Sequence, residues 1–511
     1  MDDLDNPVVE EPPHDGGTSA SPGIRLGLVD AALGRGATRL AEALEDFLAE
    51  EDSLRALEIW LEPEKKSNER VFATLARDIA AIDALISEQL DAILHHDDVK
   101  RIEATWRGVE YLLQEAQDDE KVRIRIFNAT WYELARDFDR AVEFDQSALF
   151  AKVYSEEYGM PGGVPYGLLL CDYAVRHRRP TGAGQAIDDV GALSGLAEVA
   201  AAAFSPCVIG AAPELFGVSS FSDLSYVQRL DAGFRLAEYQ RWRKLREQEE
   251  SRFLGITLPR ILLRERYSNS SSREEGFVYR ENGGSLDSWL WGNAIYAFGA
   301  VVIRTFIETG WFADIRGARI ENDETDVAGL PAPRFSTGEA TAYRRPLEVE
   351  LTDKKQKALE DLGFVSISPC NFTKSVVLLG TQSLHAVPNE GDTAERSNAR
   401  LSAMLHYALC VSRFAHYVKV MARDRIGGFT TAAALERFLA DWLQEYTIGN
   451  ADAGPELRAR YPLSGARIEV KELPGRPGVM GCTMHLQPHF QIDQMVTGLR
   501  LRTDLEPVGG R

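Results

Sequence analysis

The chain has 511 residues, 44% hydrophobic and 26% charged, and 78 acidic against 57 basic side chains give a formal net charge of −21. So acidic a chain repels phosphate backbones and anionic bilayers, which argues against nucleic acid and anionic membrane surfaces as partners. The five cysteines (Cys171, Cys207, Cys370, Cys410, Cys482) are scattered without a C-x-x-C, as suits free thiols in a reducing compartment.

Residues 1–23 are rich in Asp, Glu, Pro, Gly and Ser, which predicts disorder. They lack the basic and apolar regions of a signal peptide. A short apolar patch follows with Ile24, Leu26, Leu28 and Val29, and Leu40, Leu44, Phe47 and Leu48 continue at helical spacing. This arm reads either as a docking peptide or as a helix folded back on its own domain. Val71–Leu94 is a strong amphipathic helix, with Leu75, Ile79, Ile82, Leu85, Ile86, Leu90 and Leu94 on one stripe. His95 and His96 end it as a complement to the helix dipole. A second helix spans about Val99–Gln114. Residues 121–128 alternate Val122, Ile124 and Ile126 against Arg123 and Arg125, the pattern of a half-exposed strand. Thr130 and Glu133 make a capping box.

The stretch 141–173 is the centre of the pattern. An amphipathic helix carrying Leu149, Phe150, Val153 and Tyr154 breaks at Gly159, Pro161, Gly162, Gly163 and Pro165, and the apolar run Gly167–Cys171 follows as a buried strand. The glycines fit no phosphate-binding spacing. Asp189–Ala203 reads as a helix and Cys207–Gly210 as a strand. The alternation suggests an α/β layer. Asp223–Arg252 reads as polar and helical, with 241–250 a solvated face. Residues 258–267 suit a strand, and Leu286–Thr309 a central apolar helix. Leu347, Val349 and Leu351 alternate against Glu348 and Glu350. Thr352 then caps a helix that stops at Gly363. Strand signals recur at Phe364–Ile367 and Ser375–Leu379. The longest helical pattern is Arg396–Gly427, with Arg413, Lys419 and Arg423 off its apolar face, and Leu435–Tyr446 adds another helix.

Three alternating segments close the chain. Ile468 and Val470 face Glu469 and Lys471. Cys482, Met484 and Leu486 face Thr483, His485 and Gln487. Thr497, Leu499 and Leu501 face Gly498, Arg500 and Arg502. Strands of this kind have one apolar face and leave edges that either close within the chain or accept strands from neighbours. No hydrolase, kinase, zinc or Walker motif occurs, so no catalytic residue, metal or cofactor is expected. A structural subunit, an adaptor and a hydrolase using scattered carboxylates are the classes in view.

Several of these segments also carry a resemblance. FDQSALF (144–150), KVYSEEYG (152–159), GGVPYGLLLCDY (162–173), WRGVEYLL (106–113), APELFG (212–217), LDSWLWGNAIYAF (286–298), residues 401–427 and LPGRPG…LQPHFQIDQMVTGLRL (473–501) resemble, in order, the large contractile-sheath subunit of type VI secretion systems, the TssC/VipB family. The chain departs from that pattern at QPHFQIDQ (487–494). The resemblance implies a cytoplasmic structural protein without catalysis. The expected fold is α/β, with mixed sheets packed by long helices, a helical middle portion and C-terminal strands that join sheets between subunits. The expected division is an arm at 1–62, an N-terminal sheath domain at 63–380 and a C-terminal domain at 381–511. The implied partners are a small TssB/VipA-like subunit in a heterodimer, an Hcp inner tube, baseplate proteins and further copies in a helical polymer. A ClpV-type AAA+ ATPase would recognise the arm through Ile24, Leu26, Leu28 and Val29. Arg413, Lys419 and Arg423 would face the tube, and Ile468, Val470, Leu499 and Leu501 would lie in the inter-subunit strands.

Overall fold

The computed structural model describes residues 47–61, 68–117, 119–160, 162–178, 187–267, 277, 279–282, 286–312, 315, 329–338, 341–370, 376–387, 399–400, 402–424, 431–450, 453–472, 480–489 and 499–505. The chain divides into two compact units, Met1–His96 with Tyr267–Asn282, and Asp97–Arg266 with Gly283–Arg511.

The first unit is built on helices α1 (Ser53–Leu61) and α2 (Asn68–Leu94). The indole of Trp60 donates to Asp78 at 3.3 Å, and the Phe47 ring lies 5.3 Å from the Trp60 ring. Asp91, near the end of α2, accepts from the Tyr279 hydroxyl at 2.7 Å, and His95 lies 3.1 Å from the buried carboxylate of Glu281.

The second unit opens with α3 (Asp97–Ala116) and α4 (Trp131–Arg140), and Thr130 and Glu133 form the predicted capping box of α4. Its main sheet contains β1 (Leu169–Val175), β2 (Cys207–Ala211), β3 (Leu254–Leu258), β8 (Val365–Pro369) and β9 (Val376–Leu378), in the order β1-β2-β3-β8-β9. The first four are mutually parallel and β9 closes the edge antiparallel. Between β1 and β2 the chain crosses over through α5 (Asp189–Ala202), as parallel neighbours require. Every residue of β2 and β3 is buried. Cys207 and Ile209 point into a core shared with α5, whereas Val208 points into a second core shared with α7 (Ile295–Thr309). Helices on both faces explain why these strands read as apolar runs rather than as alternation. Helix α6 (Gln240–Glu247) lies in the helical middle portion, and α8 (Asp353–Asp361) precedes β8. Two small antiparallel pairs, β4 (Ile261–Arg264) with β5 (Leu290–Gly292) and β6 (Arg334–Ser336) with β7 (Thr341–Tyr343), complete this region. The fold is therefore mixed α/β, as expected.

Several local expectations need correction. Residues 121–128 form no strand, and Ile126 and Phe127 stay 63% and 57% exposed. Arg125 pulls the segment aside by pairing with Glu157 and lying over the Tyr166 ring. Around Leu347 only a single bridge to Ile261 forms, and Glu348 turns inward. The cause is Arg260, which donates to both Glu348 oxygens at 2.6 and 2.9 Å, with the Ser220 hydroxyl adding a third bond. The helix expected from Leu286 begins at Ile295, because Leu290–Gly292 pairs with β4 and the Asn293 side chain accepts the Ile295 N–H. Residues 241–250 are not a solvated face: Trp242 and Leu245 are buried, and Arg246 donates to the Leu384 carbonyl. Burial lowers the Arg246 guanidinium to about 10.

Candidate assembly surfaces

The C-terminal part of the second unit holds α9 (Leu405–Asp424), α10 (Ala432–Gln444), α11 (Pro455–Arg460) and a sheet of β10 (Leu463–Glu472), β11 (Met480–Pro488) and β12 (Leu499–Leu505). Alternation sets the sheet's two faces. Ile468, Val470, Cys482, Met484 and Leu486 are buried against Phe414 and Val418 of α9 and Leu439 and Leu443 of α10. Each large aliphatic buried this way contributes roughly 1.5–3 kcal/mol. Burial also pushes the Cys482 thiol up to about 12, so it stays neutral and acts as an apolar group. On the opposite face the Glu469 carboxylate is held below its ordinary range by its hydrogen bond to Lys471, with Arg467 adding to the effect.

The register is antiparallel throughout. Ile468 faces Met484, which faces Leu501; Ala466 faces Leu486, which faces Leu499. Strand β11 is thus paired on both sides. The outer edge of β10 is already occupied at both ends. The Val470 N–H donates to the Glu436 carboxylate of α10 at 2.9 Å, and Leu463 exchanges bonds with Tyr446 and Ile448. The outer edge of β12 takes no strand among the described residues. An unpaired edge can accept a further strand through its backbone.

The basic residues of α9 have other employment. Arg413 stacks on the Tyr417 ring at 4.5 Å. The Lys419 ammonium sits 4.8 Å from the Tyr154 ring, 5.0 Å from Tyr158 and 5.1 Å from Phe204, and donates to the Tyr154 hydroxyl. Arg423 donates to the carbonyls of Glu157 and Met160, both at 3.1 Å, and to that of Gly163 at 3.3 Å. These are the residues of the Gly/Pro corner between helix and strand. The corner forms as the sequence predicts, with one addition: the helix is wound as a π-turn over Ala151–Ser155 between Ala148–Phe150 and Glu156–Gly159. Glu157 closes the corner by accepting the Val164 N–H at 2.7 Å. Gly162 has φ +83°, and a Cβ on Gly163 would lie 2.3 Å from the Glu157 carbonyl oxygen. Glycine is therefore required at both. A tube-facing role for the three cations means sharing or releasing these bonds.

Ile24, Leu26, Leu28 and Val29 lie outside the described residues. Arg423 as the clamp on the corner, and Arg260 with Glu348, escaped sequence reasoning, since each pairs groups far apart in the chain. Among the described residues no three His, Cys, Asp or Glu side chains converge to hold a metal. Buried His416 is lowered to about 3 by desolvation first and by Arg413 next, and it lies 3.2 Å from the Ala203 carbonyl. Also among the described residues, no helix is long and apolar enough to cross a membrane.

Comparison with known proteins gives these surfaces a context. Residues 76–385 match the family model described as EvpB/VC_A0108, tail sheath N-terminal domain, and residues 394–505 match its tail sheath gpW/gp25-like domain. The chain is 35% identical over 433 residues to the type VI secretion system sheath protein TssC1 of Pseudomonas aeruginosa, covering 84% of this chain and 85% of that protein.

Proposed function

Because the chain belongs to the VipB/TssC family of type VI secretion sheath proteins, we propose that it is the large subunit of a contractile sheath. In this reading it pairs with a small TssB/VipA-like subunit. The heterodimers stack helically on a baseplate around an Hcp tube, and contraction drives the tube outward. The work comes from repacking a metastable assembly, so the chain needs no catalysis of its own. The observation that carries the reading is the second family match, which ends on β12, the strand whose outer edge is unpaired among the described residues. The edge of β12, rather than that of β10, receives a neighbour's strand, with Leu499 and Leu501 setting the register and Ile468 and Val470 two strands inward on β10. The segment Ile24–Leu33 recruits a ClpV-type ATPase for disassembly.

Co-expression with the small subunit, followed by electron microscopy, tests this. The full chain should yield tubes. A chain lacking Met495–Arg511 should give a soluble heterodimer that does not polymerise. Tubes from the truncated chain would refute strand exchange at β12.

A further inference from the structure

Along α2, Phe72, Ile79, Ile86 and Ile93 recur every seven residues, and all four face solvent, at 72%, 44%, 40% and 55% exposure. An apolar row of that period stays in register only with a second helix wound left-handedly about the first. Helix α1 has 9 residues, about 14 Å, against 27 residues, about 40 Å, in α2, so it is too short to be that helix along the whole row. Beside the row lies a groove of about 520 Å³ whose lining includes Phe47, Trp60, Leu75, Ile79 and Ile82.

The segment before Phe47 has the same period: Leu26, Leu33, Leu40 and Phe47 are each seven residues apart. The last member of that series already sits in the groove. We propose that residues 26–47 of the same chain pack as a helix antiparallel to α2, placing Leu40 against Ile86 and Leu33 against Ile93. Charge selects this direction. From Ile86 to Ile93, α2 carries Glu88 and Asp91 and no base, while residues 33–40, opposite in this register, carry Arg35 and Arg39 and no acid. Antiparallel packing brings the basic half of the segment onto the acidic half of α2. Pairing α2 with its counterpart in another copy would bring acidic groups together in a parallel arrangement. Gly27, Gly34 and Gly36 each cost the segment roughly 1 kcal/mol of helix propensity, so it is helical only while docked, and recruitment of an ATPase by Ile24–Leu33 requires it to undock first.

Two measurements on the full chain decide it. In hydrogen–deuterium exchange, amides of residues 27–45 should exchange at least tenfold more slowly in the native chain than in Ile86→Asp/Ile93→Asp, while residues 97–117 stay unchanged. Equal exchange at 27–45 in the two proteins would overturn the proposal. In a background without the native cysteines that react, Leu40→Cys/Ile86→Cys should be joined within one chain by a short bismaleimide, and Leu40→Cys/Phe72→Cys should not. This pair keeps small apolar side chains and so decides the matter if the aspartates unfold the unit. Cross-linked dimers would mean that another copy supplies the segment, and cross-linking by both pairs would mean no fixed register; either result sinks the proposal.

Discussion

The main sheet and the C-terminal sheet are both mixed into helices, yet they solve burial differently. In β2 and β3 every side chain is covered, and consecutive residues such as Val208 and Ile209 enter different cores. In β10 and β11 burial alternates: Ile468 and Met484 are covered while Arg467 and Glu469 face out. Parallel strands between two helical layers are finished within the subunit. An antiparallel sheet with one covered face keeps an outer face and an edge for something else.

The contrast can be broken at its strongest point first. Truncating Val208 and Ile209 separately to Ala should cost about 2–4 kcal/mol each, because neither parity is free in the main sheet. Chemical denaturation would measure this, and an innocuous change at either position would mean that one layer is dispensable. In β10 the same experiment should split by parity. Ile468→Ala should cost about 2–4 kcal/mol, whereas Lys471→Ala should stay within roughly 0.5 kcal/mol. A smaller effect is expected from pH. His416 is neutral when folded, and its folded value near 3 lies below the ordinary 6.5. The unfolded chain thus binds the extra proton first as pH falls through that window. Stability should be fully present above 6.5 and drop by about 2 kcal/mol by pH 5, and His416→Gln should flatten the slope. Smallest of all, Lys419→Met should cost about 1 kcal/mol from lost cation–π contacts, read by thermal unfolding.

The elements easiest to read from sequence were those whose neighbours impose a single period. The C-terminal strands alternate because one face is covered, and the long apolar helices stand out because burial sets their stripes. Residues 121–128 show how the same signal misleads. Alternation identifies a strand only where another strand offers its edge, and here Arg125 pairs with Glu157 instead. Alternation alone sends Glu348 to solvent, because sequence cannot show Arg260, 88 residues away, reaching its carboxylate. The basic residues of α9 were visible as charges. Their partners Tyr154, Glu157 and Gly163 lie on an element more than 250 positions away in the chain, a distance that no local pattern spans.

Helix α9 joins regions that the chain order separates. Leu405 and Leu409 belong to a core of the main sheet, Phe414 and Val418 lie beneath the C-terminal sheet, and Arg423 is tied to the Gly/Pro corner. Mechanically it is a tie-rod. A pull along β12 loads its backbone bonds to β11 in shear, all at once rather than one after another, and the load passes through the packed helix into the buried strands. Within this second unit, a load on the C-terminal sheet is thus carried into the main sheet by packed side chains rather than by the chain's own order.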